Sequence, residues 1–79
     1  MDPGPLPVQV RALIVLVSAA LNAGDDPLAT VRAVVRPPPS PEVVAAIVDL
    51  LDSPEVARQP GEPGLVLIAR IEAVTGHAV

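Results

Sequence analysis

The sequence predicts an all-α fold, a small bundle of about four short helices joined by Pro/Gly-rich connectors. Three observations carry that expectation. Apolar residues recur at helical spacing in separate blocks. A capping residue followed by proline opens two of these blocks, and glycine or a run of prolines closes others. "LVLIA" at residues 65–69 also suits a buried strand taken alone, but no second run with hairpin turn chemistry is there to pair with it.

Residues 1–6, "MDPGPL", place Pro3, Gly4 and Pro5 in a row and read as a flexible N-terminal arm. A single helical domain is expected over residues 7–76, with 77–79 as a frayed C-terminal tail. Pro7 suits the first turn of a helix, where a missing N–H costs nothing. From Val8 to Ala23 the polar residues Arg11, Ser18 and Asn22 fall at i, i+7 and i+11, one narrow stripe. The remainder is almost entirely apolar, so this helix is expected to be packed from several sides, with Gly24 as its left-handed cap.

The second helix starts at Asp26-Pro27, with Leu28, Val31, Val34 and Val35 forming its apolar face and Thr30, Arg32 and Arg36 lying off it. It stops before "RPPPSP", because a residue preceding proline is pushed out of the α region. That connector contains a P-x-x-P and reads as a stiff spacer, with a polyproline II ligand as the less common use.

Ser40-Pro41-Glu42-Val43 opens the third helix with a cap, a first-turn proline and an acid near the positive end of the helix dipole. Val43, Val44, Ile47, Val48 and Leu51 supply its apolar face, and Asp49 and Asp52 its wet side. The same four letters return thirteen positions later as Ser53-Pro54-Glu55-Val56, after which "ARQPGEPG" cuts the helix to a turn or two. The continuations differ and the period matches no helical repeat family, so both words read as helix starts. A Ser-Pro phosphorylation site is the rival reading, but capping accounts for every letter. The last helix is "GLVLIARIEAVTG", with Leu67, Ile68, Ile71 and Val74 as its stripe, Arg70 and Glu72 outside it and Gly76 as its stop.

Composition narrows the function. A chain of 79 residues hides only about 60% of the surface its unfolded form exposes, and small domains compensate with disulfides, metals or partners. There is no cysteine, and the lone His77 cannot build a metal site, so no cofactor is expected and partners are what remain. Hydrophobic residues make up 51% of the sequence without one aromatic, and charged residues only 18%. That is more aliphatic surface than one small core needs.

Net charge is −4 and lysine is absent; the five cations, Arg11, Arg32, Arg36, Arg58 and Arg70, are scattered. Nucleic-acid binding, which needs a basic stripe and often aromatic platforms, is therefore not expected. Arg32 and Arg36, one turn apart, could hold one phosphate, but a solvated helix edge is the favoured reading.

Enzyme chemistry finds little to use. The hydroxyls Ser18, Ser40, Ser53, Thr30 and Thr75 lack a base, and His77 follows the glycine that ends the last helix. The pairs Asp25/Asp26 and Asp49/Asp52 fit capping and solvation and do not form a calcium loop. No phosphate-binding glycine motif is present.

The expected function is a noncatalytic protein–protein interaction module, working by homotypic assembly or by docking to a larger partner. Adaptor domains of bacterial signalling or defence systems and assembly proteins of phage virions fit equally. Val15, on the polar stripe of the first helix, and Leu65 and Val66, off the main stripe of the last, are the expected interaction surface. The ten-residue run Ala12–Leu21 is too short to span a membrane, and the expected location is cytoplasmic. The alternative is a secreted or envelope-associated protein whose first helix is a signal or membrane-facing segment, but the preceding region has one Arg offset by Asp2 and three prolines.

Overall fold

Four helices follow one another through residues 6–75, the stretch that the computed structural model describes: α1 (Val8–Ala23), α2 (Pro27–Val34), α3 (Pro41–Leu51) and α4 (Gly64–Thr75). The architecture is the all-α bundle the sequence predicts. Residues 1–5, the Gly76 stop, His77 and the rest of the tail lie outside the described residues.

Most boundaries follow from local chemistry. Pro7 stands just outside α1, and its carbonyl accepts the Arg11 N–H at 3.0 Å. Gly24 adopts φ 78°, and the Asp25 N–H closes the helix end on the Ala20 carbonyl at 2.9 Å. Asp26 Oδ1 accepts from the Leu28 N–H at 3.3 Å, with Pro27 in the first turn of α2. Ser40 Oγ accepts from the Val43 N–H at 3.4 Å and opens α3 in the same way.

Two kinds of detail differ from expectation: positions assigned to apolar faces that stand exposed, namely Val34, Val43 and Val74, and the fate of the second Ser-Pro-Glu-Val. Val34 is exposed, whereas Leu28, Val31 and Val35 face the core to differing depths. Each three-residue step falls about 60° short of a full turn, so Val34 has drifted off the stripe that residues 28, 31 and 35 keep. The second difference concerns the repeated Ser-Pro-Glu-Val. Ser53 caps nothing; its Oγ donates to the Leu50 carbonyl at 2.7 Å, finishing α3 instead of starting a helix. Residues 54–56 make one turn, Ala57 takes φ 50°, and the Arg58 N–H returns to the Leu51 carbonyl at 3.0 Å. The valines part company too: Val43 is exposed, while Val56 is buried in the core. Ser53 lies directly after α3, where orphaned carbonyls outcompete the N–H groups of a helix that Pro60 and Gly61 do not allow to grow.

α1 is the central element and packs against α2, α3 and α4, while α2 also packs on α3. Ile14 and Val17 of α1 join Val31, Val44, Ile47, Leu51, Val56, Leu67, Ile68 and Ile71 in one core. Leu6, at the end of the expected arm, packs on this core and donates its N–H to Glu72 Oε2 at 3.0 Å. The body measures 34 × 28 × 18 Å. Its thinnest dimension is about two helix diameters, so every helix keeps one open face.

Candidate functional site

The polar stripe of α1 is divided: Asn22 is exposed and Arg11 half-buried, whereas Ser18 turns inward against α4. Ser18 is buried and donates Oγ to the Val15 carbonyl at 3.0 Å, a partner within its own helix. Gly64, the first residue of α4, lies directly on Val15 and Ser18. A Cβ added there would sit 2.7 Å from Val15 Cα and 2.9 Å from Ser18 Oγ. Glycine is needed here for close approach. α4 begins beside the C-terminal half of α1 and ends near Leu6, so the two helices run antiparallel.

A polar latch holds that start in place. The Asn22 amide donates to the Glu62 carbonyl at 2.9 Å, and its Oδ1 accepts from the Gly61 N–H at 3.0 Å and from Arg58 Nη1 at 3.2 Å. Arg70 grips the Glu62 carboxylate with both nitrogens, at 3.0 and 2.5 Å, and also donates to the Val56 carbonyl at 2.7 Å. The Gln59 N–H adds a bond to Glu62 at 2.7 Å.

Hydrogen bonding from Arg70, then from the Gln59 N–H, lowers the Glu62 pKa from 4.5 to about 2, and raises that of Arg70. Because the folded value lies below the unfolded one, this stabilisation is present above about pH 4.5 and is lost as pH falls toward 2. Thermal melts should therefore show a loss of stability across that window that Glu62→Gln abolishes. Parallel pH profiles for variant and wild type would remove the latch from the account.

The latch and the Gly64 contact set the exposed flank of the α1–α4 pair. Val15 is 39% exposed, Leu65 75% and Val66 44%. All three expected surface residues therefore lie at the surface, and Gly64 brings the start of α4 against Val15. Along α1 the open positions continue through Val8, Ala12 and Ala19, and along α4 through Ala69 and Ala73. None of these carries a charge. Arg11 borders the strip, partly buried, with its Nε unpartnered. Among the described residues the exposed acids, Asp25, Asp26, Glu42, Asp49, Asp52 and Glu55, belong to the α1–α2 turn, α3 or the turn after it.

The other candidates resolve into structural roles. Arg36 is tethered at the end of α2, donating Nη1 to the Arg32 and Val35 carbonyls and leaving its Nε and Nη2 unbonded among the described residues. Asp52 pairs with Arg58 at 3.4 Å. Among the described residues no group of acids and histidines is placed to hold a metal, and no helix is long and apolar enough to cross a membrane. The capping roles of Asp26 and Ser40 were readable in sequence. The Asn22–Glu62–Arg70 latch was not, since its members lie in different elements with no spacing rule between them. No protein-family model, curated protein or solved structure matches the chain.

Proposed function

We propose that the chain is a noncatalytic interaction module that associates with a second copy of itself through the outer face of α1 and α4. The observation that carries this is the uncharged strip containing Val15, Leu65 and Val66, flanked by Val8 and alanines 12, 19, 69 and 73. Contiguous apolar surface on a small protein is an interaction signal, where scattered apolar residues are not. Alternating valines and alanines supply both ridges and shallow hollows, which a two-fold contact requires of a self-complementary patch.

Charge favours a like partner. Two copies of a chain carrying −4 repel through their α3 faces and their α1–α2 turns, whereas the exposed residues of this strip bring no acid against acid. α1 serves this function as a structural helix, because it brings Ile14, Val17 and Ala20 into the core.

Light scattering over a concentration series tests the proposal. A defined oligomer is expected. Val15→Asp and Val66→Asp, each placing an unpaired carboxylate in the contact, should weaken association by roughly 100-fold or more while the helical circular dichroism is kept. A wild-type chain that stays monomeric into the millimolar range would end the homotypic reading and redirect attention to a larger partner. Loss of helicity in both variants would assign these residues to the fold.

A further inference from the structure

A concavity lies away from the latch, where the N-terminal half of α1 meets the α2–α3 connector. Its volume is about 370 Å³, and it is lined by Gln9, Ala12, Leu13, Val35, Arg36, Pro37 and Pro39. Five of those seven residues present only carbon in their side chains. Pro37 and Pro39 have no N–H to satisfy and have a fixed φ, so their side of the cleft is apolar and stiff. A pre-formed apolar hollow with few polar groups is the usual form of a small-molecule site.

The two polar residues sit in complementary states. Arg36 is held by its Nη1 bonds to the carbonyls of Arg32 and Val35. Its Nε and Nη2 carry no bond among the described residues, so one complete edge of the guanidinium fork is free. That edge matches a carboxylate in two-point geometry. The Gln9 side-chain amide, on the opposite wall, likewise has no bond within the described structure and adds a donor. Arg32, exposed one turn before Arg36, raises the local positive potential, and no acid lines the cleft.

We propose that this cleft binds a medium-chain aliphatic carboxylate, with its head group on the free Arg36 edge and Gln9, and its tail along Ala12, Leu13, Val35, Pro37 and Pro39. At about 30 Å³ per water-sized group the volume has room for roughly a dozen heavy atoms, the size of an eight- to ten-carbon acid. A neutral chain of that length would gain the apolar walls and lose the ion pair. A phosphate would gain the ion pair and leave the walls empty.

The test is a nitrogen–proton correlation NMR titration of the full chain with sodium octanoate, run beside methyl octanoate, which has the same tail and no charge. Saturable shifts are expected, confined to residues 9–13 and to Val35, Arg36 and Ser40 on either side of the prolines, with the acid binding about 10-fold or more tighter than the ester. Arg36→Gln should erase that difference while leaving ester binding in place. The proposal is overturned if octanoate fails to saturate, if acid and ester bind equally, or if the shifts centre on Val15, Leu65 and Val66. Should Arg36→Gln perturb the end of α2, the acid–ester comparison on the wild-type chain decides alone.

Discussion

Leu67→Ala should cost about 3–5 kcal/mol, a large part of the stability of a chain this size. Leu67 is fully buried, in a cluster otherwise made of Ile14, Val17, Val31, Val44, Ile47, Leu51, Val56, Ile68 and Ile71. Large-to-small changes in a core cost about 2–5 kcal/mol, and the value depends on how far neighbours collapse into the space. Here they collapse poorly. Apart from Leu51 the neighbours are all Val or Ile, stiff at χ1, and no aromatic or methionine is present in the cluster to swing across. The upper part of the range is therefore expected. A chain of 79 residues has about 4–12 kcal/mol in total, so the loss is a large fraction of the whole. Urea unfolding at fixed protein concentration measures it. A change under about 1 kcal/mol would mean that α4 is not seated in the core as described.

Gly64→Ala is expected to cost about 2 kcal/mol, within the range of overpacking changes. In an ordinary helix the same substitution is favourable by up to about 1 kcal/mol. The sign inverts because the new Cβ meets the backbone of α1 at Val15 Cα, 2.7 Å away, and backbone cannot rotate aside. α4 must shift outward, straining the Asn22 and Arg70 bonds at its base. For a domain of this size about 2 kcal/mol lowers Tm by roughly 8–16 °C. Unchanged or raised thermal stability would show that α1 and α4 are not in close contact at this point. The substitution also reads on function, since an α4 displaced from α1 splits the strip formed by Val15, Leu65 and Val66. Self-association should weaken along with stability.

Several parts of this molecule were legible before folding was considered. Gly24 as the left-handed cap, Asp26-Pro27 and Ser40-Pro41 as helix starts, and the proline run as a stop all act within four or five residues. The buried sets on α3 and α4, Val44, Ile47 and Leu51 and then Leu67, Ile68 and Ile71, follow from helical periodicity alone. The places where local reading failed share one cause. Ser53 repeats every letter around Ser40 and yet serves the helix before it, because a cap depends on which unsatisfied backbone groups are within reach. Ser18 and Asn22 share one polar stripe of α1, yet Ser18 is buried under Gly64 and bonds within its own helix, while Asn22 finds its partners some forty residues on.

By itself, then, the sequence determined that the chain is helical, where α1 ends and where α2 and α3 begin, that it lacks cysteine and aromatic residues, and that it carries more aliphatic side chains than a small core can hold. Those properties depend on backbone dihedral preferences and on composition, which act over a few residues or over none. Tertiary structure alone decided which of the surplus valines and leucines stay outside. It seated Val56 in the core and left Val43 exposed, brought Gly64 against Val15, and tied Glu62 to Arg70 and Asn22 across two helices. Burial and close approach are relations between surfaces distant in sequence, and only the packing of one helix on another creates them.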